Sequence, residues 1–279
     1  MAKICFITLC ISAAMLLNSA SAANAAELHP ETLKAWSDYV KATEKRISAE
    51  LLSKEKFLSL EFQAESKAAR DRKQVLSGNI LIEKVSTDDR KDIPDGRIHH
   101  WRGVVFIPGV SLDSVLFRVE NPTTENVIQE DVMDSRVLEK EPGQFRLYLK
   151  LQRSKVVTVV YNTEHLIHYL KCSESKAWSS SVATKIREIE KNEQEKPEGR
   201  DNGFLWKLNS YWRYEQVDGG VIVECESMTL SRSVPPVLSW IVNPIIDSVA
   251  RESMQRTLQS FRTRMEKSIR QSASIHLDQ

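Results

Sequence analysis

The chain has 279 residues, 41% of them hydrophobic and 28% charged, with 39 basic against 38 acidic side chains. This length suits one large domain or two small ones, and the apolar content is enough to build a core. The balanced charge excludes the overall basic excess that nucleic-acid binding normally needs.

Lys3 is followed by an apolar stretch from Ile4 to Leu17, and Ala20-Ser21-Ala22 or Ala23-Asn24-Ala25 then offers a small-residue cleavage site. That is the layout of a secretory signal peptide. At 14 residues the stretch is too short to span a bilayer comfortably. Residues 1–25 are therefore read as a cleaved leader, and the protein is expected to be secreted or periplasmic. Cys5 and Cys10 lie inside the apolar stretch and no cysteine follows the cleavage site, so a lipid anchor is not indicated. Losing Lys3 leaves 38 basic against 38 acidic groups.

Residues 26–77 read as an N-terminal helical segment packed on the main domain. Pro30 suits a first helical turn, and Leu33, Trp36, Val40, Ile47 and Leu51 recur at helical spacing as far as about Lys56. Leu58, Leu60 and Phe62 alternate with polar residues as a short strand would. Glu65 to Lys73 is helix-prone, and Gly78 to Val85 reads as another strand. Arg97 to Ile107 is a strand broken by Pro108-Gly109, and Ser111-Leu112-Asp113 starts a short helix reaching about Val119.

From Asp131 the pattern becomes strand after strand: Asp131 to Glu139, Gln144 to Arg153, Val156 to Leu170, Lys176 to Ile189, Gly203 to Gln216 and Gly220 to Arg232. Pro142-Gly143 and Asp218-Gly219 mark tight turns, so consecutive strands must be antiparallel. In the strand from Gly203, residues Phe204, Trp206, Leu208, Ser210, Trp212 and Tyr214 alternate to one side, and so much aromatic surface requires a cover. Phe145, Leu147, Leu149 and Leu151 repeat the pattern against Arg146, Lys150 and Gln152. Val221, Val223 and Cys225 repeat it against Glu224 and Glu226, which read as the polar side.

The cover is a C-terminal amphipathic helix. Val237, Leu238, Ile241, Val242, Ile245, Ile246 and Val249 form its apolar first part around Pro244, and Met254, Leu258, Phe261, Met265 and Ile269 continue the stripe. Residues 78–272 thus form an α+β domain in which a curved antiparallel sheet packs on a long C-terminal helix, and residues 273–279 read as a disordered tail. Cys172 and Cys225 fall too far apart in a meander to bond, roughly 9 to 10 Å at ordinary strand spacing against a limit of about 7 Å. Two free, mostly buried thiols are expected.

The order of elements from Gly78 to Ile269 resembles the START-like superfamily, also called SRPBCC or helix-grip proteins, in particular secreted bacterial members. The resemblance rests on Ile98-His99-His100-Trp101 through Pro108-Gly109-Val110-Ser111-Leu112-Asp113, on Tyr161-Asn162-Thr163-Glu164-His165, and on Asn202-Gly203-Phe204-Leu205-Trp206 to Tyr211-Trp212. It implies a cavity between sheet and helix that holds sterols, phospholipids, quinones or polyketide intermediates. A minority of the family are cyclases or dehydratases. No universal catalytic motif exists in the superfamily, so no catalytic residue is carried over.

Chemistry motifs are sparse. His99 and His100 are adjacent on a strand and point apart, and His165 and His168 also diverge, so neither pair chelates one metal and no metal or other cofactor is called for. Ser179, Ser180 and Ser181 alternate without a common face. Phosphate loops, zinc-protease helices and nucleophile elbows do not occur. Arg251, Arg256, Arg262, Arg264, Lys267 and Arg270 against Glu252 and Glu266 make the helix end basic, which suits a solvated face or a transient contact with a membrane surface.

The function expected is the binding of a hydrophobic small molecule or lipid, by a monomer, without catalysis. Trp206, Trp212, Tyr214, Phe204, Phe145, Leu149 and Ser210 are the candidate wall, and Ile241, Ile245 and Leu258 the candidate lid. A cyclase- or dehydratase-like enzyme would need a titratable group in the cavity, for which Asp134, Arg136, Glu164 and His165 are candidates. A structural or partner-binding protein would instead expose an apolar patch, most plausibly around Trp36 and Val40.

Overall fold

A computed structural model describes residues 28–85, 92–122, 131–154, 158–197, 200–233 and 248–267. The leader, the tail and the first part of the C-terminal apolar stripe, including Ile241 and Ile245, lie outside the described residues.

Helix α1 spans Pro30–Leu51 with proline in its first turn, and it buries Thr32, Trp36, Thr43, Ile47 and Glu50. A 3-10 turn follows at Ser59–Phe62, where the alternation of Leu58, Leu60 and Phe62 suggested a strand. The Glu61 carboxylate accepts the backbone N–H groups of Phe57 and Leu58 at 2.7 and 3.0 Å, which bends the chain back on itself. Helix α2 spans Glu65–Leu76.

The strands are β1 (Leu81–Lys84), β2 (Asp92–Ile93) and β3 (Gly96–Pro108), then β4 (Val132–Glu141) and β5 (Gln144–Ser154) after helix α3 (Leu112–Glu120). They continue as β6 (Thr158–Lys171), β7 (Lys176–Glu188), β8 (Lys207–Val217) and β9 (Gly220–Arg232). All pairings are antiparallel in one curved nine-stranded sheet of order β1-β3-β9-β8-β7-β6-β5-β4, with β2 on the end of β3. Residues 248–267 form the described part of the C-terminal helix, α4. This α+β helix-grip architecture matches the order of elements read from the sequence, and tight turns set the strand ends, with Gly219 at φ 80 between β8 and β9.

Each sheet face has its own cover. On the concave side α3 and α4 enclose Val105, Ile107, Tyr214, Val221, Val223 and Cys225 with Met254, Leu258 and Met265. On the convex side α1 packs Trp36 and Ile47 against Ile98, Tyr211, Met228 and Leu230. The 3-10 turn and α2 add Leu58, Leu60 and Val75 against Val104 and Ile222.

The convex face is the one that strand alternation marked as polar, and the structure buries it. Glu224 is 1% exposed and accepts the backbone N–H groups of Ser59 and Leu60 at 2.7 and 3.0 Å. Glu226 takes His100 Nε2 at 2.7 Å and also pairs with Arg46. Buried carboxylates survive only when paired in this way. Among the thiols, Cys225 is buried as expected whereas Cys172 is exposed in the turn between β6 and β7, and neither is bonded to the other. Among the described residues no helix is long and apolar enough to cross a membrane.

Candidate functional site

The candidate site is the space bounded by the concave face and α4, and its depth is set at β3. A Cβ on Gly103 would stand 2.5 Å from Leu258 Cδ1 and 2.7 Å from Met254 Cγ, so only glycine lets α4 settle this close. From that contact the helix reaches both sheet edges. Arg262 Nη1 donates to the Gly78 carbonyl at 2.8 Å on the β1 side. At the other edge Arg153 of β5 bonds Ser253, and Arg256 Nε meets the Asp131 carboxylate at 2.8 Å beside β4.

Beyond the helix, strand register puts Phe145, Leu147, Leu149 and Leu151 of β5 on the same face as Tyr161, Thr163, His165 and Ile167 of β6. Ser179, Ser181 and Ala183 of β7 join them, as do Ser210, Trp212 and Tyr214 of β8. Leu149, Leu151, Ile167 and Trp212 are only partly buried. The Trp212 ring lies 6.1 Å from the Phe261 ring of α4, tilted by 35°, so this aromatic pair joins the helix to the β5–β8 half of the sheet.

A row of polar groups crosses the apolar wall. Thr163 Oγ1 donates to the Leu149 carbonyl at 3.0 Å, so at its 3.0 Å contact with His165 Nε2 it must accept. His165 is thereby assigned as the Nε2–H tautomer, and its Nδ1 accepts from Ser181 Oγ at 3.2 Å. Burial lowers the imidazole pKa from 6.5 to about 4, so the ring is neutral with both nitrogens engaged. Ser179 Oγ and the Tyr214 hydroxyl lie 3.1 Å apart in full burial, and burial raises the proton affinity of Tyr214. Trp212 Nε1 donates to Ser210 Oγ at 3.2 Å. Among the described residues the buried Tyr161 hydroxyl has no hydrogen-bond partner, and its pKa is raised by burial first and then by Glu188 and Asp201.

The sequence-derived wall is partly redrawn. Trp212, Tyr214, Ser210, Phe145 and Leu149 lie on the concave face, and Leu258 of α4 packs against it. Trp206 does not: it precedes β8 and joins Trp36, Ile47 and Leu230 in the cluster under α1. Phe204 is 44% exposed, with the Arg232 guanidinium over its ring. The reason is local, since Asp201 Oδ1 takes both the Gly203 N–H at 2.7 Å and Trp206 Nε1 at 3.1 Å, which turns the chain before the strand begins.

Asp134 and Arg136 also point away from α4, Arg136 lying over the Tyr148 ring on the outer face. Buried Ser135 is the polar group that this strand turns inward. Glu164 pairs with Arg146 at 2.6 Å on the outer face. Thr163, Ser179 and Ser181 were not singled out from the sequence as site groups, although Ser179 and Ser181 share the face of Ala177 by simple alternation. Among the described residues no group of three His, Cys, Asp or Glu side chains is arranged to hold a metal ion.

No protein-family model matches the chain and no curated protein matches it. Among solved structures it is similar to a STAR-related lipid transfer protein fragment from Xanthomonas axonopodis, with a TM-score of 0.44 and 15% identity over 66% of this chain and 98% of that one. It is similar also to the Zhui aromatase/cyclase from Streptomyces, with a TM-score of 0.45 and 9% identity over 62% and 96% of the two chains. For human STARD10 the TM-score is 0.42 and the identity 9%, over 81% and 89%.

Proposed function

We propose that this protein binds a hydrophobic small molecule or lipid between the concave sheet face and α4, outside the cytoplasm and without catalysing a reaction. The observation that carries the reading is the composition of that face. Partly buried Leu149, Leu151, Ile167 and Trp212 surround a few fixed polar groups, the mixture typical of small-molecule pockets. Apolar burial supplies the affinity at about 25 cal/mol per Å², so on the order of 300 Å² is worth about 7 kcal/mol before the cost of association.

Binding is favoured over catalysis by the state of His165. A general base needs a lone pair aimed at substrate, whereas its Nδ1 is occupied by Ser181 and its Nε2 carries a proton bonded to Thr163. The unpartnered Tyr161 hydroxyl is a donor for an oxygen of a bound guest.

Native mass spectrometry of protein purified from its own host without detergent, followed by lipid extraction, tests this reading. A stoichiometric apolar species should accompany the protein. An empty protein that also fails to take up an apolar fluorescent probe overturns it. The same spectra should place the mature N-terminus near Ala23 or Ala26, and a retained leader would overturn the location.

A further inference from the structure

Arg46, Arg102, Arg153, Arg213 and Arg256 each meet a carboxylate. Among the described residues Arg264 of α4 meets none. Its Nη1 is buried with no hydrogen-bond partner among the described residues, and Arg118 of α3 is a nearby cation acting on it.

The helix fixes where Arg264 looks. Ser253 and Arg264 are eleven residues apart, about three turns, and so share one flank of α4. Ser253 marks that flank as the one facing β5, through its bond from Arg153. Arg262 marks the opposite flank, facing β1, through Gly78. Arg264 is therefore on the β5–β8 side of the sheet, at the end where α3 closes over the concave core with Leu116 and Val119.

Leaving a buried guanidinium nitrogen unsatisfied is costly, and burial followed by Arg118 lowers the proton affinity of Arg264. An anion satisfies that nitrogen, and a planar guanidinium suits carboxylate and phosphate oxygens. Resting on the binding function above, we propose that the guest is an anionic amphiphile whose carboxylate or phosphate head sits on Arg264 between α3 and α4. Its tail then lies along Trp212 and the apolar rows of β5 and β6.

The test compares a pyrene-labelled fatty acid with its methyl ester, which differ in charge but not in tail. The acid should bind roughly tenfold tighter or more, the scale of one charge-assisted hydrogen bond. Arg264→Met should abolish that preference by lowering the acid's affinity to the ester's level, and Arg264→Lys should keep part of it. Equal binding of acid and ester by the unaltered protein overturns the anionic head but leaves the apolar pocket standing, whereas binding of neither overturns the pocket itself. Inorganic phosphate alone should raise Tm far less than the acid; an equal rise would assign Arg264 to a free anion. If Arg264→Met fails to fold, the acid-to-ester ratio of Arg264→Lys and its narrowing with added salt decide the question, and an unchanged ratio in both overturns the proposal.

Discussion

The Glu50 carboxylate of α1 accepts a hydrogen bond from Arg213 of β8 at 2.5 Å, across 163 residues of chain, in a setting where both side chains are almost fully buried. Arg213 also donates to the Phe57 carbonyl at 2.7 Å and stands 3.9 Å from Glu224. One guanidinium thus ties the N-terminal helix, the turn after it and two sheet strands into a single charged layer.

Replacing Arg213 by methionine keeps most of the volume but leaves Glu50 with Arg46 alone and Glu224 with the Ser59 and Leu60 N–H groups. Stability should fall by about 3 to 5 kcal/mol, the usual cost of breaking a buried pair from one side, measured as a shift of the urea midpoint. A loss under about 1 kcal/mol would show that the remaining partners suffice.

His165 should give the protein a distinct acid limb. Its pKa is about 4 in the folded chain against 6.5 for the free side chain, so as pH falls the unfolded chain takes up the proton first. The stability it contributes is complete above about 6.5 and is lost on the way down to 4, a loss on the order of 3 kcal/mol. Glu226 is raised by burial but pulled down to about 2 by its hydrogen bond and charge pairing with His100 and by Arg46, so its own loss begins only below about 4.5. Glu224, raised by burial, works in the opposite sense. His165→Gln should flatten the stability profile between pH 6.5 and 4.5, and an unchanged slope would mean that the ring is not responsible.

Trp206 and Trp212 differ in role although they alternate in one sequence run. Trp206→Ala should cost about 3 to 5 kcal/mol of stability, as a buried aromatic does, and leave apolar probe affinity per folded molecule unchanged. Trp212→Ala should lower stability less and weaken probe binding more. The reverse ranking, read from thermal melts and fluorescence titration, would make Trp212 core and Trp206 wall.

Gly103 sets how closely α4 is held. Gly103→Ala drives a methyl into Met254 and Leu258, an overpacking penalty of about 1 to 3 kcal/mol. Amide exchange in residues 248–267 should speed up more than in β8 or β9. Uniform protection would show that the helix absorbs the methyl without moving.

The sheet was legible in the sequence because its turns are chemically explicit. The Asp218-Gly219 turn and a clean alternation mark Gly220 to Arg232, which is the observed span of β9. What misled was alternation without knowledge of the cover. Glu224 and Glu226 read as a solvent face, since nothing local reveals that Arg213, Arg46 and two backbone N–H groups arrive from far along the chain to pair with them. The Leu58 to Phe62 run failed for the same reason, its backbone being held by Glu61 and Glu224. At the site, Trp212, Tyr214 and Phe145 are visible by period, whereas the His165 row joins Thr163 and His165 of β6 to Ser181 of β7 across a strand pairing that no local sequence pattern announces.

The charged layer behind the sheet makes the molecule mechanically one-sided. Flexing the strands to admit a guest would tear ion pairs out of a dry interior, whereas tilting α4 breaks a few arginine contacts at its margins and slides apolar side chains past one another. For the guest proposed above, the easier route would therefore run beneath α4 rather than through the strands, and its exchange should answer to changes at Arg153, Arg256 and Arg262 rather than to any on the strands.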